Sequence, residues 1–568
     1  MSLRSRIGVA ALALALPALG ALAAPALAQP SVNNGFGPVI PRLENRPATL
    51  IETDGYVYGP GTGKTSPDLS ITIQDNDWDA PATLYIYWHD RVTNDVVYVN
   101  TKLGLSEAEV DFFGDPGAPR RIIPADLKDF KIFGGGSALG PTPDGVPGTT
   151  GRYQFVLEIR DPNGASVVTR SNTLYNYVDG VELHSGDVTA NERWSPEMAH
   201  FLDAPVYVQE QVRLSIDPGT MVIGSKNGQG TLVFERGARM DIVGKPLDPI
   251  IFTSELDAGE RGPGDWGGLV VNGRAETNQG TSPPPEGEGD SGPFGGLDDN
   301  DSSGALSYAR VEYAGIRFST QNELNGIALQ GVGKGTQIDH VQVHFNQDDG
   351  IEFFGGAVDA KYVLVTGAED DSLDWTFGWR GNLQHFVAIQ CGNSEQDNGI
   401  EADNFETDNT AEPIANPTIR NATWIGDADH LPDASDDGAV FRRGTKVSLH
   451  NGLFWRFTTE GIKIDGDVSM GWLNGNGITV ADTILFGNDP DANVDFAALG
   501  GPILNSDPGF YNDPRGAVGC GVVPDITFAN NHDAGSSGGG FFDSAPYIGG
   551  VDDDDPWIDD GWTSFADN

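Results

Sequence analysis

The sequence predicts an all-β protein, a right-handed parallel β-helix preceded by a small Ig-like β-sandwich. A recurring strand pattern is the first observation behind this. It reads Asp349-Gly350-Ile351-Glu352-Phe353, Asp371-Ser372-Leu373-Asp374-Trp375, Asn398-Gly399-Ile400-Glu401-Ala402, Asp437-Gly438-Ala439-Val440-Phe441 and Glu460-Gly461-Ile462-Lys463-Ile464. Asn325-Gly326-Ile327-Ala328-Leu329 is a weaker, earlier copy. The small residue returns after 24, 22, 27, 39 and 23 residues, and a period in the low twenties marks a solenoid. The second observation is an interleaved series: Val311-Glu312-Tyr313, Val341-Gln342-Val343, Tyr362-Val363-Leu364-Val365, Phe386-Val387-Ala388-Ile389, Thr423-Trp424-Ile425 and Leu453-Phe454-Trp455. Two strand positions per turn, rich in β-branched and aromatic residues with glycine at corners, point to a parallel β-helix rather than a sandwich. No copy can bury its apolar face alone, so neighbouring coils must stack.

Residues 1–28 read as an export signal. Arg4 and Arg6 open it, Ile7 to Ala24 is an Ala/Leu-rich core, and Ala26-Leu27-Ala28 is a small-residue cleavage site. No later stretch is long and apolar enough to span a bilayer. The expectation is an exported protein: secreted, on the cell surface, or in the periplasm of a Gram-negative bacterium. Residues 29–46 form a Pro/Asn/Gly-rich linker. From 47 to 178, strand signals at Ser70-Ile71-Thr72-Ile73, Thr83 to Trp88, Val96 to Val99, Tyr153 to Ile159 and Val167 to Thr169 suggest the Ig-like sandwich. The β-helix is assigned to 179–510, with its first clear strands near Ala204 and a Pro/Gly/acid-rich loop at 274–304. Residues 511–568 are a Gly/Asp-rich C-terminal cap or tail.

The charge bounds the partners. The 568 residues carry 34 Lys and Arg against 82 Asp and Glu, a formal net charge of −48. Nucleic acid is excluded as a partner, because phosphate binding needs Lys and Arg. Acidity instead favours divalent cations. The two cysteines, Cys391 and Cys520, could form a disulfide after export or remain buried thiols. No CxxC or His-rich motif is present, so the sequence gives no support to a zinc or haem site.

Several segments resemble a family of secreted bacterial β-helix proteins with pectin-lyase-like folds. Val206-Tyr207-Val208 with Leu214-Ser215-Ile216-Asp217-Pro218-Gly219-Thr220 is similar to its opening coil. Ile250-Ile251-Phe252-Thr253-Ser254, Gly264-Asp265-Trp266-Gly267-Gly268-Leu269 and Tyr308-Ala309-Arg310-Val311-Glu312-Tyr313-Ala314-Gly315 resemble its next blocks. Tyr547-Ile548-Gly549-Gly550 and Gly561-Trp562-Thr563-Ser564-Phe565 resemble its end. The resemblance covers about 200–568 and implies fold and export, with no activity attached. Residues 29–178 lie outside it.

With Ile351, Leu373, Ile400, Ala439 and Ile462 pointing inward, the next column out is Glu352, Asp374, Glu401, Val440 and Lys463. A second outward column follows at Phe354, Thr376, Asp403, Arg442 and Asp465. Parallel strands lie about 4.8 Å apart, so stacked carboxylates need a cation, a basic partner or a shared proton. Calcium is the candidate cofactor, with Asp374 and Glu401 as ligands on the ladder. Asp299-Asn300-Asp301-Ser302-Ser303-Gly304 offers a second candidate through Asp299, Asp301 and Ser303, half of a calcium-loop motif. A solvated acidic face and an ordinary Asx-rich loop are the competing readings.

Three functions compete. The first is an exported, calcium-associated surface protein that binds a polysaccharide or cell-surface glycan without turnover. Glu352, Phe354, Trp379 and Asp403 are its candidate contacts, and Phe354, Trp379 and Trp455 are read as exposed aromatics on which sugar rings could stack. The second is a polysaccharide lyase or glycoside hydrolase, which needs paired carboxylates or a calcium ion with a base. Asp374, Glu401, Arg380, Arg442 and Lys463 are the candidates there. The third is a purely structural surface protein. Trp375, Phe377 and Phe441 fall on inward positions and are read as core, and His344, His385 and His450 as structural.

Overall fold

A computed structural model describes residue 178 and residues 180–508, except 247, 257–259, 320–321, 392–395 and 428–434. It also describes 539–552, 557–559, 562–565 and, between 49 and 177, strand segments only. The expected export signal, the linker and Cys520 lie outside these residues. Within 49–177 the strands form a three-stranded antiparallel sheet (Thr49–Thr53, Leu69–Asp75, Lys128–Phe133) and a six-stranded sheet. The six-stranded sheet centres on Thr83–Asp90, Gly151–Arg160 and Ser166–Tyr177.

From Gly180–Val188 to Ile503–Leu504 the described strands stack in parallel as a β-helix of 24 strands, so the expected parallel β-helix is observed. The register shows why the repeats recur. Ile327, Ile351, Leu373 and Ile400 lie side by side on successive coils and are fully buried. The next position forms the continuous column Ala328, Glu352, Asp374, Glu401, Val440 and Lys463. Stacking identical positions lets each coil bury its apolar face against the next, which no coil could do by itself.

The second series lies on long strands: Gln337–His344, Asp359–Thr366, Asn382–Ile389, Thr418–Ile425 and Val447–Trp455. Each is bent mid-strand by a left-handed residue, at His340, Tyr362, His385, Asn421 and Asn451, with φ between 50° and 58°. The bend makes one strand serve two sides of the coil. Its aromatic members stack: His340 on Tyr362 at 4.5 Å and Tyr362 on His385 at 4.7 Å.

The C-terminal segment folds back along these strands. Gln384 bonds both the N–H and the carbonyl of Asp543, and Gln342, two coils earlier, bonds both groups of Ser564. Ile548, Trp557, Ile558, Trp562 and Phe565 cover Leu364, Val387 and Leu453, which point outward from the helix. Cys391, under the same cover, is disulfide-bonded, and Cys520 is the chain's only other cysteine. No helix among the described residues is long and apolar enough to cross a membrane.

Candidate functional site

The turn that opens each repeat carries the densest chemistry. Two acidic or amide positions precede the small residue: Asp348-Asp349, Asp370-Asp371, Asp397-Asn398 and Asp436-Asp437. The inner member of each pair caps the next coil. Asp349 Oδ1 accepts the N–H of Asp371 (3.0 Å), Asp371 Oδ1 that of Asn398 (2.7 Å), Asn398 Oδ1 that of Asp437 (3.2 Å), and Asp437 Oδ1 that of Glu460 (2.9 Å). These N–H groups point along the helix axis with no strand partner, so a side-chain oxygen satisfies each. Where glycine follows, close packing requires it. A Cβ on Gly350 would lie 2.8 Å from the Ser372 carbonyl oxygen, and one on Gly438 2.4 Å from that of Gly461.

The outer column loses cover from coil to coil: Asp348 is buried, Asp370 and Asp397 half-buried, Asp436 exposed. Burial, then the neighbouring Glu323, which also shares a hydrogen bond, pushes the Asp348 carboxyl up to about 9. Burial and then Asp397 raise Asp370 to about 6. Asp349, Glu352, Asp371 and Asp374 are all held well above the usual carboxylate range, first by burial and then by neighbouring acids. A carboxylate stack without cations therefore takes up protons to relieve its own repulsion.

Oxygens of Asp349, Asp371 and Asp374 lie within 4.8 Å of one another, as do those of Asp370, Asp371 and Asp397, and of Glu323, Asp348 and Asp370. Two oxygens bound to one Ca²⁺ at 2.3–2.6 Å lie at most about 5.2 Å apart, so every pair within a trio is close enough to share an ion. Asp374 Oδ1 is shielded from solvent and has no hydrogen-bond partner. Toward the C-terminal side the stack changes character. Arg442 pairs with both Glu401 and Asp403, Arg443 with Asp403 (2.5 Å), and Lys463 with Asp437 (2.8 Å). Burial lifts Asp403 to about 6 although Arg443 works to lower it.

The sequence-based candidates separate into those that converge here and those that do not. Asp374 joins the carboxylate trio, whereas Glu401 is spent on Arg442. Glu352 sits on the outward column yet is buried, accepting a 2.6 Å bond from Asn325 Nδ2. Arg380 belongs elsewhere: it holds Asp299 (2.9 Å). Asp299 also caps the N–H of Glu276, and Asp301 caps that of Arg274. Those two acids anchor the start of the 274–304 loop, and Ser303 is buried nearby with its hydroxyl unpartnered. Among the described residues neither Asp299 nor Asp301 belongs to a trio of His, Cys, Asp or Glu that could hold a metal ion.

The exposed aromatics expected from the sequence are a correction. Trp379 is fully buried in the coil interior, stacked on Phe353 at 4.0 Å, because the chain turns after Thr376 and reverses the side it presents. Phe354 does point outward, but Phe294 of the 274–304 loop and Leu324 pack over it. Trp455 is covered by the C-terminal segment. Phe377, expected in the interior, is half-buried in the outer cluster with Phe354 and against Phe405. Trp375 and Phe441 are interior as expected.

Sequence reading passed over the inner acids Asp349 and Asp371, although each stands immediately before the repeated small residue. That position was the available signal.

A family model described as a pectate-lyase like beta helix domain matches residues 186–497. No curated protein matches. Two solved structures align weakly. The catalytic unit of a thermostable GH87 alpha-1,3-glucanase from Streptomyces thermodiastaticus strain HF3-3 is 10% identical, with a TM-score of 0.25 over 84% of this chain and 95% of that one. A family 28 exopolygalacturonase of Yersinia enterocolitica is 10% identical, with a TM-score of 0.19 over 81% of this chain and 99% of that one. At those scores neither bears on activity. The family match spans more than half of the sequence and coincides with the stacked coils, and the chain belongs to the family of pectate-lyase-like β-helix domains.

Proposed function

We propose that this is an exported, calcium-associated β-helix protein that binds a glycan without cleaving it, its N-terminal part being an Ig-like sandwich. The observation that carries the reading is the convergence of Asp349, Asp371 and Asp374, with one Asp374 oxygen buried and unpartnered. Hard carboxylate oxygens at this spacing suit Ca²⁺, and the ion replaces the protons that the stack otherwise needs. Bound there, it would fix the turns of neighbouring coils. Arg442, Arg443 and the exposed Glu406 then form a rigid polar rim beside the stack. Guanidinium and carboxylate groups held in fixed pairs present donors and acceptors to sugar hydroxyls with defined geometry, which suits a glycan. The test is retention on immobilised polygalacturonate, alginate and β-glucan, with calcium and with a chelator. Calcium-dependent retention without shortened products supports the reading; no retention on any polymer under either condition contradicts it.

A second reading is favoured by a separate observation. Asp370 and Asp403 both titrate near 6, where a carboxyl can serve as a general acid. Asp370 has an oxygen within 4.8 Å of one on Asp397 of the adjacent coil, near the roughly 5 Å separation of retaining glycosidases. Release of reducing sugar or of an unsaturated product from the same polymers would establish catalysis in place of binding.

A further inference from the structure

The first coil holds a group unlike any other among the described residues. Gly180–Val188 and Met198–Val208 run parallel, with Glu182 opposite His200 and His184 opposite Leu202. Residues two apart on a strand share a face, and Leu202 on this face is buried in the interior of the coil. Glu182, His184 and His200 thus close the N-terminal end of the β-helix, Glu182 exposed, His184 half-buried and His200 buried.

Their hydrogen bonding settles the state of the deepest ring. His200 Nε2 lies 3.1 Å from the Ser195 carbonyl oxygen. A carbonyl only accepts, so Nε2 carries the hydrogen and Nδ1 presents a lone pair. That lone pair faces His184 Nε2 at 3.0 Å and Glu182 Oε2 at 3.7 Å. Ligands bound tetrahedrally at 2.0–2.1 Å stand about 3.3 Å apart, and the two observed separations straddle that distance. Trp194 stacks on His184 at 4.1 Å and on His200 at 5.0 Å, which fixes both ring planes. An imidazole locked by an N–H to carbonyl bond on one nitrogen, with a lone pair presented on the other, is the arrangement that metal-binding histidines adopt.

We propose that Glu182, His184 and His200 form a site for a borderline divalent transition metal of the zinc class, tying the first coil strand to the second. Without metal, His184 Nε2–H donates to His200 Nδ1. Binding requires His184 to carry its hydrogen on Nδ1 instead, a tautomer change with no change in charge. Burial lowers the basicity of both rings, so both are available as neutral ligands. Two nitrogen donors disfavour calcium and set the site apart from the carboxylate stack. The exposed side of Glu182 leaves a fourth position for water.

The test is zinc content after dialysis and zinc calorimetry on the full chain, with Co²⁺ substitution read in the visible spectrum. Glu182→Gln and His184→Gln both alter side chains that reach solvent, and melting in chelator confirms that each variant still folds. The expected result is one zinc per chain, four-coordinate cobalt absorption, and affinity weakened about tenfold or more in each variant. Asp371→Asn should leave zinc binding unchanged. Absence of zinc binding, equal affinity in both first-coil variants, or loss only in Asp371→Asn would overturn the proposal.

Discussion

Asp371 Oδ1 accepts the backbone N–H of Asn398, one coil further on, at 2.7 Å. Asn398 makes the same bond to Asp437 without a charge. The bond therefore needs an oxygen and not a carboxylate, so capping gives no reason for acids at Asp349 and Asp371. A bound cation supplies one.

This separates two substitutions at one position. Asp371→Asn keeps the cap and removes the charge, so stability in chelator should be unchanged or higher and calcium affinity should fall about tenfold or more. Asp371→Ala also leaves the Asn398 N–H buried and unpaired, which costs about 1–3 kcal/mol. Urea unfolding with and without calcium distinguishes the two.

Arg442 neutralises Glu401 and the buried Asp403 together. Arg442→Ala should cost about 2–3 kcal/mol, below the full cost of breaking a buried pair because the guanidinium is partly solvated. Arg442→Lys should recover only part of this, since one ammonium cannot face both acids in the same way. Thermal melting at fixed pH checks both.

His385 is buried against Tyr362, with Tyr547 Oη 3.1 Å from its Nδ1. Burial lowers its pKa from 6.5 to about 4, although Asp543 acts to raise it. A depressed histidine pKa means the fold binds the neutral ring. Its contribution is present above about 6.5 and is lost as pH falls toward 4, up to about 3 kcal/mol. Melting temperature should drop through that window, and the drop should be smaller in His385→Asn.

Trp562 is fully buried, parallel to Trp557 at 5.8 Å and edge-on to His340 at 5.7 Å. Trp562→Ala should cost about 3–5 kcal/mol. Limited proteolysis should then release the C-terminal segment before the coils unfold. Simultaneous loss of both would show that the segment is integral to the helix.

Much of the coil was legible because its rules are local. Inward positions alternate along a strand and recur at one period, so Ile351, Leu373 and Ile400 could be aligned by sequence alone, and the Glu352–Asp374–Glu401 column followed. What could not be read was cover. Phe294 and Leu324 bury Phe354 from segments remote in sequence, so a side chain could point outward and still avoid water. Trp379 was misplaced because a turn breaks the strand alternation on which its assignment rested. The caps at Asp349 and Asp371 join coils 22 and 27 residues apart, and the Glu182–His184–His200 group depends on a first coil that carries no copy of the repeat.

Calcium calorimetry on the full chain, paired with melting, tests most directly whether a cation sits in the carboxylate stack. Stoichiometric binding is expected, with a melting temperature that rises with calcium and an affinity about tenfold or more lower in Asp371→Asn. Heat-silent titration with an unchanged melting temperature would contradict it and leave the stack an acidic ridge that keeps its protons.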